Sequence, residues 1–415
     1  MSLRRWFPFF RHLVVLSSSC ALLPSHVTAI TKWTAGQAGW RAAVDRTLES
    51  LETTETAGAP KLFFLFMARD KLPNERVWAR FFSRASRGTD YEVLVHCTDE
   101  TACKQSIQDL HTFRVIPRIP SKWCEDLVSP MNALLVHALS LGRHGQGFGE
   151  REALSPHDKF IFVSDTTVPV KKFESVQQQL GNADGANSSF CIRPWWTWAW
   201  HNATDVAVKH DQWLVLSRAH VGRALLSKEG PRVMHRHLTP LHWANVEWLA
   251  RGLWNINRMV LQRIMSSRFA GWIVTAPFPS GCIDEYWHFA SVFGYLDRTL
   301  GTTGVSIPGL SSGRLTMDEN TSRRTQGRCD TYVRFNHDDQ FPELTEELEQ
   351  AADTIWETAK TFKHPGRFER LSQDSLSVLR NSPFLFARKV DSETSFAGDM
   401  ALHDAFDSFI FSYES

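Results

Sequence analysis

Four short apolar runs constrain this chain more than anything else in its sequence. Leu62-Phe-Phe-Leu-Phe66 is the first, and similar runs follow at Glu92-Val-Leu-Val95, Phe160-Ile-Phe-Val163 and Trp213-Leu-Val-Leu216. A strand with one wet face alternates polar and apolar residues, whereas an unbroken apolar strand needs cover on both faces. Between the runs lie helix-like stretches such as Val77 to Phe82 and Met131 to Leu141. Buried strands alternating with helices predict an α/β fold with a mostly parallel sheet. No apolar run reaches the ~18–20 residues of a membrane span, which excludes a polytopic membrane protein.

Charge narrows the partners. Among 415 residues, 46 Lys+Arg stand against 45 Asp+Glu, a formal net charge of +1. Nucleic-acid binders usually carry a clear basic excess, so no nucleic-acid partner is expected. An apolar fraction of 43% is enough for a large core. Sixteen Trp and 28 Phe against five Tyr suit either a heavy aromatic core or a sugar-stacking cleft, and composition does not choose between them.

The N-terminus points to a compartment. Arg4, Arg5 and Arg11 precede Leu13-Val-Val-Leu16, and Val27-Thr28-Ala29 supplies small residues for cleavage. This is the layout of a secretory signal over residues 1–29; an uncleaved signal anchor and an amphipathic start buried in the fold are the alternatives. N-x-S/T sequons occur at Asn187, Asn202 and Asn320. Of seven cysteines, Cys20 lies in the leader, leaving Cys97, Cys103, Cys124, Cys191, Cys282 and Cys329. An even count fits disulfides in an oxidising lumen, with 15 connectivities open for six cysteines. No C-x-x-C occurs, so no zinc pattern is present. The expected address is the lumen of the secretory pathway, with the chain secreted or held by a single N-terminal anchor.

Residues 30–60 read as a stem, with Trp40, Val44, Leu48 and Leu51 at helical spacing and a polar linker from Thr53 to Pro60. A single catalytic domain is expected over 61–390, followed by a polar tail over 391–415. The segment from Glu343 to Phe362 carries the spacing of an amphipathic helix. Gly145-x-Gly147-x-Gly149 lacks a following Lys-Ser/Thr and reads as a surface loop, not a P-loop.

Three segments are candidates for chemistry. Ser164-Asp165-Thr166-Thr167-Val168-Pro169 follows a buried strand, where α/β sheets gather ligands, although a simple turn closed by Pro169 has the same sequence. Asp284-Glu285, after Ser280-Gly281-Cys282-Ile283, either favours a helix N-terminus or supplies a base that takes a proton from a hydroxyl. Leu385-Phe386-Ala387-Arg388-Lys389 ends an apolar run with two cations, either a solvated strand end or a phosphate clamp. His235, His237 and His242 have no acidic ligand nearby in sequence and make a poor metal site. No D-x-D occurs; the D-x-E triplets are Asp90 to Glu92 and Asp391 to Glu393.

In order along the chain, these pieces resemble the core-2/I-branching β-1,6-N-acetylglucosaminyltransferase family (glycosyltransferase family 14-like), especially its plant-type branch. The resemblance rests on Leu62–Phe66 with Ala68-Arg69-Asp70-Lys71-Leu72-Pro73, Trp78-Ala-Arg-Phe-Phe82, Val93-Leu-Val-His96 and Ile119-Pro-Ser-Lys122. It continues through Phe162-Val-Ser-Asp-Thr-Thr-Val-Pro-Val170, Gln212-Trp213-Leu-Val-Leu-Ser-Arg218, Cys282-Ile-Asp-Glu-Tyr286 and Leu385-Phe-Ala-Arg-Lys389. It implies a GT-A-like fold, a type II membrane or secreted enzyme of the Golgi lumen, and inverting sugar transfer from a nucleotide sugar without a divalent metal or other cofactor. Glu285 then matches the catalytic base, Lys389 the diphosphate-binding lysine, and Arg328, in Arg328-Cys-Asp-Thr-Tyr-Val333, a second diphosphate-binding cation. Asp165, Arg69 and Arg388 fall on the donor side; Gln212, Trp213 and Asp284 fall on the acceptor side. Trp213 offers a face to a sugar ring, or is a core aromatic. The chain lacks much of the mucin-branching enzymes' cysteine framework, so their acceptor specificity does not carry over.

The chain is therefore expected to transfer a sugar from a UDP-sugar to a glycan or glycoprotein hydroxyl. UDP-GlcNAc, UDP-xylose and a uronic-acid donor are all open. The alternative class is a catalytically inactive carbohydrate-binding protein on the same scaffold. A glycoside hydrolase ranks last, because it needs two carboxylates flanking one bond and adjacent helical residues point apart.

Overall fold

The computed structural model describes residues 59–121, 126–141, 155, 157–182, 188–199, 205–227, 284–293, 296–297, 329–334, 342–351, 355–357 and 365–412. The signal, the stem to residue 58, the three sequon asparagines, the Gly145–Gly149 loop, the three histidines, Cys124, Cys282 and Arg328 lie outside those residues.

The elements run β1 (Leu62–Ala68), α1 (Glu75–Phe82), β2 (Tyr91–Cys97), α2 (Glu100–Ser106), β3 (Arg114–Val115), α3 (Val128–Leu141) and β4 (Lys159–Ser164). Next come β5 (Val168–Pro169), α4 (Phe173–Asn182), β6 (Ile192–Ala199), β7 (Asp205–His210), β8 (Val215–Ser217), α5 (Arg218–Leu226), α6 (Asp284–Phe293) and β9 (Leu296–Asp297). The chain continues with β10 (Thr331–Val333), α7 (Pro342–Gln350), β11 (Ile355–Glu357), β12 (Arg367–Leu371) and α8 (Gln373–Asn381). It closes with β13 (Phe386–Arg388), β14 (Ser395–Phe396), α9 (Leu402–Phe406) and a π-helical turn over Asp407–Phe411.

A five-stranded sheet in the order β3-β2-β1-β4-β8 forms the centre. Its pairs are parallel except β4 with β8. The apolar runs behave as their composition requires. Alternation along β1 sends Leu62, Phe64 and Phe66 into one core and Phe63 and Leu65 into another on the opposite face. Helix α1 covers the first face with Val77, Trp78, Phe81 and Phe82, and α3 covers the second with Met131, Leu134, Leu135 and Ala138. The fold is thus mixed α/β, with a mostly parallel sheet flanked by helices.

Many of the phenylalanines among the described residues go into this core. Trp78 is 1% exposed and packs edge-on to Phe64 and Phe66, with ring centroids 5.5 and 5.0 Å away, and stacks on Phe82 and Phe386. On the same face lies a small sheet in the order β10-β13-β5. Pro169 therefore belongs to a strand, paired with Phe386, and does not merely close a turn.

Two segments differ from the sequence-based expectation. The helix foreseen from Glu343 to Phe362 ends at Gln350, and Ile355–Glu357 form β11 against β12. β-Branched and aromatic residues at Thr354-Ile355-Trp356 favour the strand once a partner edge is present. Residues 391–415 are not a free tail over their described part: Ala405, Phe406 and Ile410 are fully buried in the first core.

Cys97 bonds Cys103, joining the end of β2 to α2, and Cys191 bonds Cys329 across 138 residues. Closing so long a loop removes much chain entropy from the unfolded state. Cys191→Ser with Cys329→Ser is expected to lower stability by about 2–4 kcal/mol. Denaturant unfolding of that pair, beside Cys97→Ser with Cys103→Ser, checks this: the longer loop should cost more. Among the described residues no helix is long and apolar enough to cross a membrane.

Candidate functional site

From β1 the chain builds β2 and β3 outward on one side, then crosses back through α3 to lay β4 on the other. Strand order reverses between β1 and β4, and the crevice at their carboxyl ends is where open α/β sheets bind ligands. Arg69 follows β1 and Asp165 follows β4, so sheet order brings these two predicted residues together.

The turn carrying Asp165 is held tightly. Ser164 Oγ contacts the hydroxyls of Thr166 (3.2 Å) and Thr167 (2.9 Å), and the Ser164 N–H donates to Thr167 Oγ1 at 3.1 Å. The Asp165 N–H donates to the Met67 carbonyl at 3.2 Å, tying the two strand ends. From α1, Trp78 Nε1 donates to the Thr167 carbonyl (2.9 Å), and Asn74 Nδ2 donates to the Val390 carbonyl (2.8 Å) and lies 3.5 Å from that of Asp165. The Val390 N–H donates to the Thr166 carbonyl at 2.9 Å. The end of β13, with Arg388 and Lys389, is thereby fixed over the Asp165 turn.

Asn74 stands at the N-cap of α1, yet its side chain makes no capping bond. It is spent on tertiary carbonyls instead. Asn74→Ala is expected to cost about 1–3 kcal/mol, the penalty of unpaired buried carbonyls, where loss of a cap alone costs about 1 kcal/mol. Asn74→Asp should cost at least as much, since its carboxylate would face those oxygens; urea denaturation of both variants measures this.

Arg388 is the hub. Its guanidinium carbon lies 4.1 Å from the Trp213 ring centroid, and Nη2 is 3.5 Å from Thr166 Oγ1. Asp165 and Asp211 both act on it electrostatically. Burial draws its pKa down to about 10, so it stays cationic at neutral pH. The residue keeps some exposure, but Nε is sealed from solvent without a hydrogen-bond partner. Burial also raises the Asp165 carboxyl above its ordinary value, opposed by Arg388, the Arg69 backbone N–H and Lys389.

The acceptor-side residues join through a second link. The Gln212 side-chain amide donates to the Asp284 carboxylate, connecting the loop before β8 to the start of α6. Asp284 is 1% exposed, and Glu285 follows it, partly exposed. Contacts thus join Thr166 to Arg388 and Arg388 to Trp213, and the adjacent Gln212 to Asp284, with Glu285 next in sequence. The predicted residues within the described part gather at the ends of β1, β4 and β13, in the loop before β8 and at the start of α6; Arg328 lies outside the described residues. Its neighbour Cys329 is bonded to Cys191, just before β6.

Sequence reasoning missed Asp211 and Asn74. Asp211 lies directly before Gln212-Trp213, and that adjacency was the one available signal. The D-x-E triplets prove structural: Glu92 pairs with Arg87 (3.3 Å), and Asp391 (3.4 Å) and Glu393 pair with Arg367. A cleft of about 450 Å³ among Arg80, Arg84, Lys172, Phe173 and Asp407 lies at the far end of α1, lined by none of the predicted site residues. Among the described residues, no three His, Cys, Asp or Glu side chains gather as a metal site requires.

No family model matches the chain, and no curated protein matches it either. What the chain does must be argued from these residues.

Proposed function

We propose that this chain is an inverting glycosyltransferase of GT-A-like fold, acting on a UDP-sugar and a glycan or glycoprotein hydroxyl in the secretory lumen. The observation that carries the proposal is the assembly of Asp165, Arg69, Arg388 and Lys389 at the strand-order reversal, linked through Trp213 and Gln212 to Asp284 beside Glu285. A carboxylate at the strand end suits the hydroxyls of a ribose, as in other nucleotide sites at such a crevice. The resemblance to the core-2/I-branching family supports the same roles.

In the proposed reaction Glu285 takes the proton of the acceptor hydroxyl as its oxygen attacks the anomeric carbon. The bond from that carbon to the diphosphate oxygen breaks on the opposite face, and UDP leaves with the electron pair. Lys389 and Arg328 stabilise the charge that develops there, the task a D-x-D-bound metal performs elsewhere. UDP release across a panel of nucleotide sugars, with and without a candidate glycan, tests the reaction. Full activity in excess EDTA is expected; activity lost in EDTA and restored by Mn²⁺ would refute the cation clamp.

One observation favours the second reading, a catalytically inactive carbohydrate-binding protein. The charges of Asp165 and Asp211 both reach Arg388, so the local charge is less positive than the Arg388-Lys389 pair implies. Glycan binding with no UDP release from any donor would select that reading.

A further inference from the structure

The C-terminal segment does more than complete the core. After α9 the chain enters the π-helical turn over Asp407–Phe411, and no other described segment is π-helical. Such turns are rare and concentrate at functional sites. Here Asp407, Ser408 and Phe411 all line the cleft of about 450 Å³ at the far end of α1. That volume falls within the ~300–1,000 Å³ of small-ligand pockets.

Three elements meet at the cleft and fix its base. Phe81 of α1 packs against Phe173 at the start of α4 and Phe411 of the π-helical turn, with ring centroids 5.4 and 6.0 Å away. All three rings are buried. Around them Arg80, Arg84 and Lys172 bring three cations, against the carboxylates of Glu174 and Asp407. Arg80 approaches Asp407 at 3.9 Å, with both side chains about half exposed. An exposed pair of that kind contributes little to stability, so it yields readily to a ligand.

We propose that this cleft is a second binding site, separate from the crevice between β1 and β4, for an acidic saccharide. The cations answer one acid group, and the two carboxylates and Ser408 accept hydrogen bonds from sugar hydroxyls. A bare anion would meet Glu174 and Asp407 with nothing to donate to them, and a neutral sugar would leave the cations unanswered. Helix α1 separates the two sites. Asn74 at its start holds the Val390 carbonyl, and Ser83 at its end lines the cleft, about 13 Å away at helical rise. A saccharide in the cleft therefore leaves the crevice open, and its binding requires no turnover there.

The test is calorimetric titration of the full chain with cellobiouronate, beside cellobiose as its neutral match. The uronate should bind on the order of tenfold tighter, the effect of charge-assisted hydrogen bonds. Arg84→Gln and Lys172→Gln should each remove most of that preference. Asp407→Asn should tighten uronate binding about threefold, because it removes an anion and releases Arg80. Misfolding cannot imitate such a gain. Lys389→Gln, in the crevice, should leave uronate binding unchanged. Equal binding of uronate and cellobiose overturns the site. Binding lost in Lys389→Gln but kept in the cleft variants moves the sugar to the crevice and also overturns it. Inorganic phosphate or triglutamate binding as tightly as the uronate marks a plain anion or acidic-peptide site and overturns the saccharide assignment.

Discussion

Glu285→Gln is expected to lower UDP-sugar turnover by about 10²- to 10⁴-fold, the usual contribution of a positioned general base. Glutamine keeps the size and polarity of the side chain but cannot accept the acceptor's proton. The groups proposed to hold the nucleotide, Asp165 and Lys389, belong to the β4 turn and the end of β13, not to α6. UDP affinity by calorimetry should therefore stay near wild type while kcat falls. Turnover that survives the substitution would remove Glu285 from the mechanism. Adjacent Asp284 is a useful contrast. It is buried and accepts from Gln212, so Asp284→Asn should act through the position of the loop before β8 and raise acceptor KM more than it lowers kcat.

Trp78→Ala should be the most damaging single change to the fold. Truncating a buried aromatic costs about 3–5 kcal/mol. The Thr167 carbonyl would also lose its donor, a further penalty of about 1–3 kcal/mol. Against a total stability of about 5–15 kcal/mol, a combined loss of about 4–8 kcal/mol is a large fraction of what holds the fold together. Trp78→Phe separates the two contributions: it keeps most of the ring packing and loses only the hydrogen bond. Its stability should fall by about 1–3 kcal/mol in denaturant unfolding. Because Thr167 belongs to the turn bearing Asp165, donor KM should rise as well. A Trp78→Phe protein equal to wild type in both measurements would mean the indole N–H contributes nothing to the turn.

Much of the fold was legible because its signals are local. The run Leu62–Phe66 announced a strand covered on both faces, and the structure supplies both covers, α1 and α3. The stripe of Val77, Trp78, Phe81 and Phe82 announced α1 in the same way. Where the outcome depended on a distant partner, local spacing misled. Residues 351–362 continue a helical pattern, but Ile355–Glu357 pair with β12, an edge that the sequence around them does not contain. Near the C-terminus, Phe406, Phe409, Ile410 and Phe411 lie in a segment whose charges made it read as a polar tail, yet they complete the core beside α1.

The candidate site divides along the same line. Residue types and their places after strands singled out Asp165, Gln212-Trp213, Asp284-Glu285 and Arg388-Lys389 one segment at a time, because chemistry-bearing side chains at strand ends are visible in one dimension. Only the order β3-β2-β1-β4-β8, with β13 laid beside β5, decided that Arg388 meets a turn 222 residues earlier in the chain and stacks on Trp213. A near-even count of cations and anions says nothing about which of them meet. Hydrophobic burial is set by each segment's own composition, whereas charge pairing is set by which segments become neighbours, and that is decided by the packing of the whole sheet.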